Sequence, residues 1–402
     1  MSFSSLGVPA DVASRLASRG IEVPFPIQAA TLPDALAGRD VCGKAPTGSG
    51  KTLAFGIPLV TRVGKAVPRR PRGLVLVPTR ELANQVRDEL VKLAGPKGRR
   101  VTTLYGGVGF GAQIQALRRG VDIVVACPGR LADLVQKGEV RLDAVEIAVL
   151  DEADRMADMG FLPEVRRLMD QVRSDRQTLL FSATLDGDVD VLVKRYQRSP
   201  VRHELVAEHD APQNRHVFWR SERTDRVGLT ADVVQREWPA IVFCRTKHGA
   251  DRLTKQLEKA GVDAAAIHGD RSQAQRERAL AAFTAGRVQA LVATDIAARG
   301  IHVDDVACVV HFDVPGDEKD YVHRSGRTGR AGASGVVVSL VGPEQVKDVG
   351  TMQAKLGLPK GVSAPDLESL SDLSLAAPLV PTKVAPVATA TRRPQERRRR
   401  RR

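Results

Sequence analysis

Two stretches combine residue types suited to handling phosphate. The first, Ala45-Pro46-Thr47-Gly48-Ser49-Gly50-Lys51-Thr52, follows a short apolar run and precedes the helix-like Leu53 to Leu59. Small residues let successive backbone N–H groups turn inward onto anionic oxygens. A lysine reaches the outer phosphates, and a hydroxyl at the start of a helix meets Mg²⁺. Ala45, Thr47, Gly48, Ser49, Gly50, Lys51 and Thr52 are therefore the candidate phosphate cradle, with Ala45 standing where the common pattern has glycine. The second stretch is Asp151-Glu152-Ala153-Asp154, delivered abruptly by the apolar run Ile147 to Leu150. That run has the length of a buried parallel strand, and open α/β sheets bind their ligands at the carboxyl ends of strands. Alone, such an acidic cluster reads as a solvated loop. The phosphate loop gives it a partner: Asp151 is expected to hold Mg²⁺, largely through water, together with Thr52, and Glu152 to act as general base on a hydrolytic water.

These groups need a sheet to position them. Short apolar runs at Asp40 to Gly43, Gly73 to Val77, Val101 to Leu104, Asp122 to Ala126, Ile147 to Leu150 and Gln177 to Phe181 alternate with amphipathic stretches such as Arg80 to Leu93 and Pro163 to Val172. This is the βαβ rhythm of a doubly wound parallel sheet. Around Glu204 to Arg215 the pattern lapses into polar residues and a proline, which reads as a linker. A second series then follows: Val217 to Trp219, Ala240 to Cys244, Ala264 to Ile267, Ala290 to Ala293, Ala307 to Phe312 and Gly335 to Leu340, closed by a helix at Pro343 to Leu356. Beyond Pro359 neither period persists, and the segment reads as a disordered tether for the terminal arginines.

A chain of 402 residues is long for one core and suits two domains plus a tail. No run of about 18 apolar residues occurs, and the amino terminus lacks a basic start followed by an apolar core, so a soluble, unexported protein is expected. The four cysteines, Cys42, Cys127, Cys244 and Cys308, are widely spaced, which disfavours metal or disulfide roles. The net charge of +14 suggests an acidic polymer as partner, nucleic acid being the commonest. From Leu358 onward ten basic and four acidic residues contribute +6, leaving +8 on the body.

Asp151-Glu152-Ala153-Asp154 also spells the signature of the DEAD-box ATP-dependent RNA helicases, and the chain resembles that family from about Phe3 to Leu340. Further matching segments run in the same order: Pro78-Thr79-Arg80-Glu81-Leu82-Ala83, Gly106-Gly107, Pro128-Gly129-Arg130, Ser182-Ala183-Thr184, Ala297-Ala298-Arg299-Gly300-Ile301 and His323-Arg324-Ser325-Gly326-Arg327-Thr328-Gly329-Arg330. Gly20 to Gln28 is similar to the family's adenine-reading element. The resemblance implies that Gln28 hydrogen-bonds the base edge and that Phe3, seventeen residues before Gly20, stacks on the ring. Phe25 stands where the family usually has threonine, which removes a hydroxyl contact to the phosphate loop.

The resemblance further implies that Arg80, Gly107 and Arg130 grip the RNA backbone from the first domain, and Arg245 and Thr294 from the second. Cys127 replaces a threonine before Pro128, where the backbone makes the contact. Asp154, Ser182 and Thr184 link nucleotide state to domain closure. His302 replaces an aspartate that meets the ribose, and an imidazole bonds a hydroxyl more weakly than a carboxylate does. Arginines at 324, 327 and 330 recur at intervals of three, so that 324 and 327 share a helical face. Arg327 and Arg330 are assigned as arginine fingers that reach from the second domain onto the transferred phosphoryl group.

The expected architecture is α/β, with two tandem RecA-like domains of parallel sheets flanked by helices. Residues 1–206 form the ATP-binding domain, 207–216 the linker, 217–357 the second domain and 358–402 a disordered arginine-rich tail. The expected activity is RNA-stimulated hydrolysis of ATP with Mg²⁺, coupled to separation of short duplexes or remodelling of RNA–protein complexes. RNA is the expected partner, with ribosomal or RNA-decay complexes as candidate recruiters, in the cytoplasm, and the short core with its basic tail resembles compact bacterial members. Two alternatives stand beside it: a DNA-directed helicase, and an RNA clamp that turns ATP over slowly. The adenine-reading element with the acidic signature disfavours the first; Lys51, Glu152 and Arg330 disfavour the second. The terminal arginines either hold RNA or merely solvate the terminus.

Overall fold

The computed structural model describes residues 1–45, 48–96, 98–185, 187–205, 213–298, 303, 306–329, 334–371 and 377–378. Seven strands form the first sheet: β1 Val41–Lys44, β2 Gly73–Leu76, β3 Val101–Leu104, β4 Ile123–Ala126, β5 Ile147–Asp151, β6 Gln177–Ser182 and β7 Val201–Glu204. Their order is β3-β4-β2-β5-β6-β1-β7, with every pair parallel. The second sheet contains β8 Gln213–Arg220, β9 Ala240–Phe243, β10 Ala264–Ile267, β11 Ala290–Ala293, β12 Cys308–His311, β13 Gly335–Val341 and β14 Ala377–Pro378. Its order is β10-β11-β9-β12-β13-β8-β14, parallel except for the antiparallel β14. This is the pair of parallel-sheet α/β lobes that the alternating pattern implies.

Helices cover both faces of each sheet, which is why most strands are unbroken apolar runs. Along β5, Ile147 and Val149 pack on one face with Phe55 and Leu90, while Ala148 and Leu150 pack on the other with Leu131 and Leu168. The same alternation divides β9: Ile241 and Phe243 meet Phe283, and Ala240 and Val242 meet Leu253 and Leu257. Each such Val or Leu contributes about 1.5–3 kcal/mol by leaving water. A change of Val149 to Asp would therefore loosen the strand that carries Asp151. Among the described residues, no helix is long and apolar enough to cross a membrane.

Three boundaries differ from the sequence-based expectation. Val201–Glu204, with no apolar run, forms the edge strand β7 by pairing with β1. Gln213 to His216, assigned to the linker, already belong to β8, which pairs with β13 from Asn214 onward. The expected tail does not begin at 358, because the chain stays docked on the second lobe. Gln353 and Gly361 exchange two hydrogen bonds of 2.9 and 3.1 Å. Ser363 N–H donates to Phe218 C=O at 2.9 Å, Leu370 is fully buried, and β14 pairs with β8. Exposed backbone composition hid these contacts, which depend on an edge strand supplied by distant sequence. The terminal arginines lie outside the described residues.

Candidate functional site

At the end of β1 the chain enters the phosphate loop, where Ala45 N–H donates to Ser182 C=O at 3.0 Å. Gly50, at φ +85°, occupies the left-handed region that favours glycine and opens the helix Lys51–Arg62 without a side-chain cap. The first-turn N–H groups are thus turned toward an incoming anion. Lys51 is nearly buried, and its Nζ donates to Ala45 C=O at 2.9 Å, folded back over its own loop. Thr52 is half-buried beside it. Thr47 lies outside the described residues.

The segment expected to read adenine is packed into its own lobe. Gln28 is buried, and both ends of its amide are engaged: Phe25 N–H donates to Oε1 at 2.9 Å, and Nε2 donates to Gly50 C=O at 2.9 Å. Gln28 is the third residue of the helix Pro26–Leu36, the position from which a Gln side chain reaches back to the cap. Phe3 is only 3% exposed and packs in the core beneath, leaving almost no free ring face.

Asp151 ends β5 with its carboxylate buried, and Oδ1 accepts the Glu152 N–H at 3.0 Å. Burial pushes its pKa up to about 7 against the pull of the Lys51 ammonium. Glu152 takes φ +51°, strained for a residue with a side chain. It forms a 2.7 Å ion pair with Arg155. Burial opposes its ionisation, but Arg155, Lys51 and Arg327 together outweigh that cost and hold it below the usual carboxylate range. Sequence reasoning missed Arg155; its i,i+3 spacing from Glu152 was the available signal.

Asp154 is tied to the segment that follows β6. Its N–H donates to Ser182 Oγ at 3.1 Å, and its Oδ2 accepts from the N–H groups of Ala183 and Thr184, both at 3.2 Å. Thr184 thus contributes its backbone here, while its residue is exposed.

From the second lobe, Arg327 adds positive potential at Glu152 across the cleft. The helix Glu318–Ser325 stops before it, so Arg327 stands in a following turn and does not share a helical face with Arg324. Arg324 is committed elsewhere, to both oxygens of Asp295 at 2.6 and 2.8 Å and to Asp313 C=O at 2.6 Å. The fully buried Asn214 steadies the turn through Nδ2, which donates to Ser325 and Thr328 C=O at 3.3 and 3.4 Å. Arg330 and His302 lie outside the described residues.

Along the expected nucleic-acid rim, Gly107 at φ +79° lies against Arg80: a Cβ there would fall 2.0 Å from Arg80 Nη1. Arg130 is not a free cation. Its guanidinium stacks 4.0 Å over the Phe110 ring, donates to Val108 C=O at 2.9 Å and is buried, so it supports the 106–110 loop. Arg245 is exposed, its N–H held by Asp313 Oδ2 at 2.8 Å, and the nearly buried Thr294 caps the helix Asp295–Ala298 through its C=O. Contacts between the lobes were invisible in sequence: Glu81 meets Arg276 at 2.8 Å, Asn84 meets Glu277 at 3.4 Å, and Asp158 pairs with Lys319.

The DEAD/DEAH box helicase family model matches residues 25–192, and that of the helicase conserved C-terminal domain matches residues 225–332. The DEAD-box ATP-dependent RNA helicase CshA of Bacillus licheniformis is 41% identical over 349 residues, covering 86% of this chain and 71% of that protein. The chain belongs to the DEAD-box RNA helicase family. DEAD-box ATP-dependent RNA helicase 30 of Arabidopsis thaliana is 42% identical over 355 residues, covering 86% of this chain but 60% of the relative. The chain thus spans less than two thirds of the length of the first curated relatives it matches. Among solved structures, S. cerevisiae Dbp5 bound to RNA and ADP BeF3 superposes with a TM-score of 0.80 at 28% identity, covering 92% of this chain and 97% of that one. A DEAD box protein from the hyperthermophile Methanococcus jannaschii, at 33% identity and covering 91% of this chain and 99% of that one, reaches only 0.52.

Proposed function

We propose that the chain is an ATP-dependent RNA helicase whose RNA-stimulated ATP hydrolysis drives lobe closing and opening. The observation that carries this reading is the convergence of Lys51 and Glu152 from one lobe and Arg327 from the other on a single buried acidic centre. Such a centre, completed only when the lobes meet, makes hydrolysis depend on closure. Glu152, ionised, takes a proton from water as the water oxygen bonds the γ-phosphorus. The bond to the β–γ bridging oxygen breaks, and ADP leaves with that electron pair. Lys51 releases Ala45 C=O to meet phosphate oxygens, and Arg327 with Arg330 offsets the developing charge.

The donor set fits Mg²⁺ rather than a metal held entirely by protein. Among the described residues, no three His, Cys, Asp or Glu side chains cluster to hold a metal, whereas one buried carboxylate and one hydroxyl, Asp151 and Thr52, suit an ion completed by water and phosphates. Mg²⁺ so held would neutralise phosphate charge.

Arg80, Gly107, Arg245 and Thr294 form the RNA path, with Arg130 shaping it from below, and contacts to phosphate make it indifferent to sequence. Asp154 passes nucleotide state to the Ser182–Thr184 segment, whose N–H groups it holds. His302 meets the ribose. The first lobe spans residues 1–206, and the second carries the basic tail of a compact, bacterial-like member. The protein works in the cytoplasm, with ribosomal or RNA-decay complexes as recruiters. Measuring ATP turnover with RNA, with DNA and with neither tests the proposal: stimulation by RNA alone supports it, and equal stimulation by DNA refutes it. Strand displacement with and without ATP separates a helicase from a clamp.

A further inference from the structure

The strands of the first sheet begin at the edge opposite the phosphate loop and Asp151, and the turns that enter them are rich in arginine. Residues 39–40, 62–72, 99–100, 118–122, 139–146, 173–176 and 198 hold fourteen basic and six acidic residues, a surplus of +8. Residues 1–206 as a whole hold thirty basic and twenty-three acidic residues, +7. The net charge of the lobe therefore sits on this one edge, and the rest of the lobe is close to neutral. The carboxylates fix the array rather than cover it. Asp40 accepts the N–H groups of Thr178 and Arg198, each at 2.7 Å, and Asp122 those of Ala66 and Arg100 at 2.7 and 2.8 Å, so both buried side chains tie neighbouring turns together. Glu139 stands between Arg69 and Arg118 at 3.3 and 2.6 Å, and Asp143 between Arg70 and Arg141 at 3.1 and 2.7 Å. Each trio keeps one unmatched positive charge, and its guanidinium groups stay 43 to 68% exposed. Glu146, paired with Arg72 at 2.8 Å, lines a cavity of about 560 Å³ whose wall also carries Arg39, Arg62, Arg176 and Arg198 against Asp40 and Asp175.

We propose that this edge is a second RNA-binding surface, which takes the phosphate backbone of a segment lying outside the nucleotide cleft and its rim. The inference rests on the reading of RNA as substrate and adds a site to it. Seven strands set ~4.8 Å apart spread the turns over roughly 29 Å, the reach of a polymer with repeated charges rather than of one small anion. Guanidinium groups are weakly hydrated and meet phosphate oxygens through two parallel N–H donors, and carboxylates that hold them in place lower the entropy lost on contact. A protein partner would want an apolar anchor at the centre of its interface. Among the described residues of this edge, Val67 is the one large apolar side chain left exposed. Contacts to phosphate alone make the surface indifferent to sequence. Because it lies away from the phosphate loop, it can hold a long RNA while the cleft opens and closes.

The test compares the full-length protein with the triple variants R70Q/R118Q/R198Q and R70K/R118K/R198K. In the first, Glu139 keeps Arg69 and Asp143 keeps Arg141, so no carboxylate is orphaned. Anisotropy with a forty-nucleotide oligouridine, across a salt series, is read beside ATP turnover stimulated by a six-nucleotide one. The Gln triple is expected to bind the long RNA about tenfold more weakly and to lower the salt slope by about 2, the scale of three lost phosphate contacts. Its turnover with the short RNA should stay within about twofold, and the Lys triple should bind the long RNA within about threefold of the unaltered protein. Unchanged affinity and slope in the Gln triple overturn the inference, as does equal weakening in the Lys triple, which would mark a structural defect. Polyglutamate binding that is lost in the Gln triple while the long RNA is held normally assigns the edge to an acidic protein instead. RNA that binds the unaltered protein without stimulating ATP turnover overturns the helicase reading and leaves this surface standing.

Discussion

Removing one member of the Glu81–Arg276 pair should open the two lobes without unfolding either. Glu81 lies on the helix Arg80–Ala94 of the first lobe and Arg276 on Gln273–Thr284 of the second. They stand 2.8 Å apart with side chains only 4% and 8% exposed. With the lobes separated both groups return to water, so the penalty for an orphaned charge falls on the closed arrangement alone. Leaving one member of a buried pair unmatched costs about 3–5 kcal/mol. At about 1.4 kcal/mol per decade, the closing constant drops by roughly two to three orders of magnitude. The neighbouring Asn84–Glu277 contact, longer at 3.4 Å, offsets little of this. The assay is a double-mutant cycle of E81A, R276A and both. It is read as the RNA concentration for half-maximal ATP turnover and as energy transfer between dyes on the two lobes. Each single variant should raise that RNA concentration at least about 100-fold, with unchanged thermal midpoints, and the double variant should show coupling of about 1.5 kcal/mol or more. Strictly additive costs, or single variants with normal energy transfer, would show that the pair does not hold the lobes together.

Two further outcomes follow from packing in the second lobe. Burial pushes His216 from 6.5 down to about 4 and His311 well below its usual value. Unfolded histidines bind protons that the folded ones refuse, so stability is full above about pH 6.5 and falls as pH drops toward 4. His216 alone accounts for about 3 kcal/mol of that loss, and a pH series of denaturant melts should show the decline in the unaltered protein and a shallower one in H216Q. Because residues 358–371 pack on β8, truncation after Pro359 should lower the thermal midpoint of the second lobe. Truncation after Pro378 should instead leave folding and basal ATP turnover intact while weakening RNA affinity and flattening its salt dependence, as filter binding across a salt series would show.

Much of this architecture is readable from local pattern, because strands buried on both faces leave unbroken apolar runs and the phosphate loop leaves a fixed spacing. β5 is an example: Ile147 to Leu150 marks both the strand and the place where Asp151 emerges. β7 is the counterexample, since Val-Arg-His-Glu has no apolar run and becomes a strand only because β1 offers it an edge. Docking of Ser363 and Leu370 depends on β8 in the same way. Within the site, residue type named the participants but not their partners. Arg130 has the composition of a phosphate ligand, yet Phe110 and Val108 claim its guanidinium. Gln28 has an amide suited to adenine, yet the helix cap and Gly50 use both ends of it. Glu81 and Arg276 are far apart in the chain, and no periodicity records such a pair.

On the proposed reading, Glu152, held as a carboxylate by Arg155, Lys51 and Arg327, is the base that makes closure productive. Its most direct test is single-turnover ATP hydrolysis by E152Q with saturating RNA, alongside RNA affinity in the presence of ATP. Loss of the base should slow hydrolysis by at least about 100-fold while RNA remains tightly held in the closed form. Full turnover in E152Q would contradict the account.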